Sequence, residues 1–376
     1  MRSLGISLYP EKTDFSQDIR YIELAKKYGF SRIFMNLLLF KVDDIQEITS
    51  KIKKILEHSN SLGYETYIDV NPFTLKALNI EYNDLTYFKG LGVSGIRLDM
   101  GFSGKEEAEM TKNKQGLKIE INMSNDDHYL DRIFDYGPDT DQLTGCHNFF
   151  PQAYTGLSVD QFKKCSIKFI DKHLKTAAFV TSQHAEIGPW TIQEGLCSIE
   201  EHRNLSIKAQ VTHLKMLGLT DDVIIGNAYA SEQELKEMSE AFFSEEVSLT
   251  VMPERELTHI EREILEENSH TYRGDRSEFM IRSSMTRFTY RGQSIPADNN
   301  ENVIEKGDVL ILNDDYGQYK GELQIALKAR PTSSKINKIG SICNEELILL
   351  DSLQPFSNFK LKVANEERLT NVNNQS

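Results

Sequence analysis

The chain is poor in residues that could tie it together covalently. Its 376 residues include four cysteines, Cys146, Cys165, Cys197 and Cys343, and none stand in a CxxC spacing. That pattern excludes a disulfide-stapled scaffold and the common zinc ribbons, and a reducing, cytoplasmic compartment is the expectation. No stretch approaches the roughly 18–20 apolar residues needed to span a bilayer. The opening MRSLGISLYPEK is too short in its apolar part for a secretory signal and soon reaches Glu11. No membrane partner is therefore expected. Positive charge is scarce as well: 43 basic residues face 57 acidic ones, a net charge of −14, which argues against a nucleic-acid partner. Any anion this protein binds must meet a local cluster of Arg or Lys. The GxGxxG turn of open nucleotide-binding sheets, the P-loop, the GxSxG elbow and the HxH or HExxH zinc pairs are all missing. Neither a cofactor nor a metal is expected, and oligomeric state leaves no mark in the sequence.

What is present is a rhythm. Eight short apolar or β-branched runs fall at 3–9, 32–38, 66–72, 95–100, 117–123, 143–149, 176–182 and 222–228. Charged, amphipathic stretches of helical length separate most of them. SQDIRYIELAKKYG, DIQEITSKIKKILEHSNSLG and IEEHRNLSIKAQVTHLKMLG each end in glycine, as a helix C-cap does. About eight strand–helix alternations predict an α/β chain whose parallel strands close into a TIM (β/α)8 barrel over residues 1–245. From 246 to 362 the texture changes to strand-like runs separated by Gly, Pro, Asn and Asp. These are LTVMPE, HTYRGDRSEFMIRSS, GDVLILN, YKGELQIALKA and NEELILLDSL, with one helical stretch at 253–268. A second, β-rich domain is expected there, and a frayed polar tail over 363–376.

In a barrel of this kind the chemistry sits at the C-terminal ends of the strands. Strand side chains alternate between faces, so each run can be sorted by parity. Asp69 and Asn71 share a face with Tyr67, Arg97 with Asp99, and Glu120 and Asn122 with Lys118. The other faces, Ile68/Val70, Ile96/Leu98 and Ile119/Ile121, are apolar and expected to pack outward under helices. Three successive strands thus aim acids and amides into one mouth. Ser7, Asn36, His147 and Asn227 stand at other strand ends, and the loop TSQHAEIGPW adds Glu186 and Trp190, the only tryptophan. Amides that bind hydroxyls and an indole that stacks on a pyranose suit a sugar. Paired carboxyls suit glycosidic cleavage. Asp99 and Glu120 are the central pair in this reading, with Asp69 in reserve; which is the acid, and which the base or nucleophile, is left open. A strand-end Asp is also a common helix cap, and Arg97 could simply neutralise its neighbours. The segment YRGDRSEFMIRSSMTR (272–287) concentrates Arg273, Arg276, Arg282 and Arg287 among hydroxyl residues, a composition suited to phosphate.

Taken together, MRSLGISLYPEK, FSRIFMNLL, ETYIDVNP, GIRLDMGFSG, HNFFPQAYTGLS, RGDRSEFMIRSS and KGDVLILNDDYGQYKGELQIAL resemble the MupG family of bacterial 6-phospho-N-acetylmuramidases, from Met1 to about residue 362. The resemblance implies a TIM barrel followed by a small cyclophilin-like domain. It also implies hydrolysis of the β-1,4 bond of 6-phospho-N-acetylmuramyl-N-acetylglucosamine during cytoplasmic recycling of cell-wall sugars. The partner so implied is a phosphorylated amino-sugar disaccharide. The rival readings are a phospho-sugar-binding protein without chemistry and another phospho-sugar enzyme on the same barrel.

Overall fold

The eight apolar runs close on themselves. In the computed structural model, which describes residues 2–36, 45–266, 268–298 and 303–364, eight parallel strands form a closed barrel. They are β1 (Leu4–Leu8), β2 (Arg32–Asn36), β3 (Glu65–Val70), β4 (Gly95–Leu98), β5 (Lys118–Asn122), β6 (Leu143–Cys146), β7 (Lys175–Val180) and β8 (Asp222–Ile225). β8 pairs back to β1, with Leu4 opposite Val223. Leu37 and Leu38 of the second run, and the expected tail from residue 365 onward, lie outside the described residues.

Alternation explains how the strands are buried on both sides. Ile33, Met35, Ile68, Val70, Ile96, Leu98, Ile119 and Ile121 join one apolar cluster with helical residues such as Ile22, Ile55, Phe88 and Ile133. The opposite parity fills the barrel: Tyr9, Phe34, Cys146, Ala177, Phe179 and Ile224 form a separate interior cluster. Each fully buried Ile or Phe side chain contributes about 1.5–3 kcal/mol, so both faces hold the strands in register.

The helices start and stop where local chemistry tells them to. Asp14 caps Phe15–Lys27 by accepting from the Ser16 N–H, and the chain leaves that helix through Gly29 at φ 83°. Gly63 (φ 77°) and Gly218 (φ 67°) end the other two stretches in the same left-handed way. The third stretch differs from expectation at its start. Its α-helix runs only over Ile207–Leu217, after a short 3-10 turn at Glu200–His202. Glu200 is occupied elsewhere, accepting from the backbone N–H groups of Tyr154 and Gly156 and from Arg203. Those bonds hold 200–206 as an anchor for the loop after β6.

The chain divides into two compact units, Met1–Phe243 and Ser244–Ser376. The second holds a seven-stranded mixed sheet. Its strands are β9 (Val247–Pro253), β10 (His270–Thr271), β11 (Met280–Ser283), β12 (Asp308–Leu312), β13 (Leu323–Ala326), β14 (Ile336–Ile342) and β15 (Asn358–Val363). Their order is β10-β15-β9-β14-β12-β13-β11, antiparallel except for the β15–β9 pair. Three readings of this half change. NEELILLDSL is helical, a 3-10 turn at Asn344–Glu346 followed by an α-helix at Leu347–Ser352. Leu349 and Leu350 are buried there, and a short apolar run does not by itself distinguish a buried strand from a buried helix. INKIGSI and NFKLKV are strands that the sequence had not marked. The helix expected at 253–268 begins only at His259 and is described to Glu266, because Pro253 ends β9 and Thr258 and Glu261 cap each other's backbone N–H.

Candidate active site

The barrel mouth is organised by one arginine. Asp69 on β3 and Arg97 on β4 stand opposite each other in register, and Asp99 follows β4 on Arg97's face. The Arg97 guanidinium is buried. Its Nη1 donates to Asp69 Oδ1 at 2.9 Å and lies 3.5 Å from Asp99 Oδ1. Its Nη2 donates to Asn148 Oδ1, and Phe34 lies beneath it at 6.0 Å. Asp69 is buried to 3% exposure, whereas the Asp99 side chain is 33% exposed. Burial is the main cause that pushes the Asp69 carboxyl up to about 7. Arg97 opposes the shift, and the charges of Asp99 and Glu120 add to it. A carboxyl poised there can give or take a proton near neutral pH.

Glu120, on the next strand, sits deeper. It is fully buried and bonded through Oε2 to Arg32 at 2.5 Å. Arg32 opens β2 and also holds Asp222 at 2.7 Å, while Lys175 reaches the same Asp222 oxygen at 2.7 Å. Asp222 and Lys175 are the first residues of their strands, so this charged layer fills the barrel towards its N-terminal end. Glu120 Oε1 has no hydrogen-bond partner among the described residues. The carboxylate is thus an interior ion-pair member one layer beneath the mouth pair.

The remaining expected site residues divide by what their side chains already do. Asn36 ends β2, buried and in register with Asp69. Ser7 is buried and donates to the Ile225 carbonyl at 2.6 Å. Asn71 caps the helix Pro72–Ala77 through Thr74 N–H at 2.8 Å, and Asn122 accepts from Ser124 N–H at 2.9 Å. Asn227 clamps the start of the β7 loop, accepting from Ser182 N–H and donating to the Ser182 and Ala185 carbonyls. It also lines a cavity of about 370 Å3 with Thr181, Gln183, Glu194 and Arg203. Glu186 and Trp190 are exposed on that loop, whose Gly188 and Pro189 carbonyls are gripped by Lys12 Nζ at 2.7 Å each.

His147 faces away from the mouth. Its ring stacks on Phe162 at 4.2 Å, and its Nε2 lies 2.9 Å from Ser166 Oγ, both on the helix Val159–Ile170. Burial and the nearby Arg97 charge push it down to about 3. An unfolded chain takes up this proton near pH 6.5, so the unfolded state binds more protons between pH 6.5 and 3. His147 therefore costs stability as pH falls through that window. A histidine NMR titration is expected to show no His147 protonation between pH 5 and 8; a midpoint near 6.5 would remove the ring from this buried position.

Three residues past the strand ends escaped the sequence reading. Asn148 shares the parity of Cys146, an interior residue, and carrying alternation past β6 would have found it. Tyr9 follows β1 into the barrel and donates through its hydroxyl to the Gly226 carbonyl. Glu11, in the turn after β1, has both carboxylate oxygens buried without a hydrogen-bond partner among the described residues; no pattern in the sequence marked it. Among the described residues no group of three or more His, Cys, Asp or Glu is placed to hold a metal ion. The four cysteines are free, and no described helix is long and apolar enough to cross a membrane.

In the second unit the arginines of 272–287 are unequally free. Arg282 is bidentate on the fully buried Glu322, at 2.8 and 3.1 Å, and Arg287 lies 3.6 Å from the same carboxylate. Arg273 pairs with Asp275. Arg276 is exposed.

Both units match the family models described as 6-phospho-N-acetylmuramidase, the N-terminal model over residues 4–240 and the C-terminal model over 247–362. The chain belongs to the 6-phospho-N-acetylmuramidase family. It is accordingly a glycosidase, and the family's name implies a phosphorylated sugar substrate. Among solved structures, an uncharacterized B. cereus protein is similar at 43% identity and a TM-score of 0.85, covering 96% of this chain and 99% of that one. A conserved Enterococcus faecalis protein of unknown function shares the fold at 24% identity and a TM-score of 0.74, with 99% of each chain covered. No curated protein matches this member of the 6-phospho-N-acetylmuramidase family.

Proposed function

We propose that the protein hydrolyses the β-1,4 bond of 6-phospho-N-acetylmuramyl-N-acetylglucosamine to N-acetylmuramic acid 6-phosphate and N-acetylglucosamine, in the cytoplasm, during recycling of cell-wall sugars. The observation that carries the mechanism is the pair of carboxyls, Asp69 and Asp99, flanking Arg97 at the barrel mouth. Asp69, held near neutrality by burial, gives its proton to the glycosidic oxygen as the bond to the anomeric carbon breaks. Asp99, the more exposed of the two, orients the group that attacks that carbon, and the incoming water's proton restores the acid. Glu120 acts from below as a fixed charge that helps keep Asp69 protonated. The cyclophilin-like character implied for the second unit is given no isomerase role, since fold does not carry function by itself.

A Schiff-base enzyme on the same barrel needs a lysine in the mouth. Lys118 opens β5 at the N-terminal end and donates to the Asp141 carbonyl at 2.6 Å, which disfavours that rival. A chromogenic β-glycoside of N-acetylmuramic acid 6-phosphate, assayed beside its unphosphorylated twin, tests the proposal. Turnover of the phosphorylated compound alone is the expected result. Cleavage of neither would reject the substrate, and equal cleavage of both would reject the need for the phosphate.

A further inference from the structure

The second unit carries an open pocket of about 780 Å3, within the roughly 300–1,000 Å3 range of small-molecule sites. Arg287, Arg291, Lys320, Asp314, Phe288 and Tyr319 line it. Its charge runs against the rest of the chain. Glu322 behind the pocket already has a bidentate partner in Arg282, so Arg287 at 3.6 Å is not needed to neutralise it. Asp314 is met by Lys320 at 3.1 Å, and no carboxylate pairs with Arg291 among the described residues. The lining thus holds three cations, Arg287, Arg291 and Lys320, against one acid, Asp314, in a protein of net charge −14.

The arginine that anchors the pocket is also held in place. The Arg287 guanidinium lies 4.7 Å from the Phe288 ring centroid and 5.4 Å from that of Tyr319. Stacking between two rings fixes the plane of its donor fork before any ligand arrives. The rings themselves are partly bare, Phe288 at 58% and Tyr319 at 37% exposure. Surplus positive charge, an oriented guanidinium and open aromatic faces are what a phosphate attached to a sugar ring requires.

We propose that this pocket is a binding site for the phosphomonoester of a small sugar phosphate. Arg287 and Arg291 take the phosphate oxygens, Lys320 adds a point charge, and the ring lies against Tyr319. The phosphate half of the inference stands on the pocket alone; the sugar half rests on the glycosidase reading. The site involves residues of 286–291 and 314–320, and leaves Arg273, Arg276 and Arg282 outside it.

The test is calorimetric titration of the full chain at low salt with glucose 6-phosphate, glucose and inorganic phosphate. Wild type is expected to bind glucose 6-phosphate more tightly than phosphate and to ignore glucose. Arg291→Ser and Arg287→Lys are each expected to weaken glucose 6-phosphate by about tenfold or more, the loss of one charge-assisted hydrogen bond. Arg291 is exposed, so its variant tests the pocket without disturbing the Glu322 network. Unchanged affinity in both variants would overturn the site, and inorganic phosphate binding as tightly as glucose 6-phosphate would overturn its sugar half. Absent binding in a wild type that still cleaves the phosphorylated glycoside rejects the pocket and leaves the glycosidase reading standing. Intact binding without cleavage does the reverse.

Discussion

Asp69→Asn is expected to lower turnover of the phosphorylated glycoside by about 10²–10⁴-fold, the usual worth of a positioned acid, while leaving the barrel folded. Asparagine keeps an oxygen for Arg97 Nη1 to donate to, but it has no carboxyl proton to give. The wild-type pH profile should carry the same signature. A donor must be protonated, and burial holds the Asp69 carboxyl up at about 7, so kcat/KM is expected to fall as pH rises through that value. The Asp99 charge is one of the causes that keeps Asp69 high. Asp99→Asn should therefore move the alkaline limb to lower pH, in addition to whatever it takes from the rate. A limb that stays in place in Asp99→Asn, or an Asp69→Asn enzyme that works at the wild-type rate, would sink the assignment of the acid.

The second large effect concerns stability. Among the described residues Arg32 is the one cation bonded to Glu120, at 2.5 Å, and it shares Asp222 with Lys175. Arg32→Met removes that charge and leaves Glu120 with only a 3.5 Å contact to the Thr144 hydroxyl. Breaking a buried pair from one side costs about 3–5 kcal/mol. At ~2–4 °C per kcal/mol for a unit of this size, the barrel transition should drop by about 10 °C. Adding Glu120→Leu should recover part of the loss, because the uncompensated charge goes with it. Calorimetry of the two variants checks this, and a loss under ~1 kcal/mol would mean that Arg32 does not neutralise the interior acids. Glu120→Gln in the glycoside assay completes the comparison. Falling activity with an unmoved transition would return Glu120 to the chemistry.

The sequence was most readable where a period repeats. Eight runs with glycine-terminated helices between them announced the barrel, and alternation sorted Ile68, Ile96 and Ile119 from Asp69, Arg97 and Glu120. Alternation tells the face and not the depth. How far down the barrel a side chain sits depends on strand tilt and on residues across the lumen, so the bond from Glu120 to Arg32, 88 positions away, left no local trace. His147 failed for a simpler reason. On the sixth strand Cys146 and Asn148 share the interior parity and His147 the outer one. Asn71 stands before Pro72, a pairing that already reads as a helix start, and its capping bond could have been expected. The Arg282–Glu322 pair joins positions 40 apart, beyond the reach of any spacing rule.

The order of strands in the second sheet bears on how the protein is made. β15 is the last strand of the described residues, yet it lies between β10 and β9, and it is β10's ladder partner. Every strand of the barrel has been synthesised by residue 225, whereas the second sheet is incomplete until residue 358 and beyond have been added. On the ribosome the first unit can therefore fold while the second is still waiting for its final strand. A stop codon shortly before Asn358 would spare all eight barrel strands. It would also remove β10's ladder partner and leave one edge of β9 with unpaired N–H and C=O groups, a template for pairing with another chain. The toll of such a truncation would show up as aggregation.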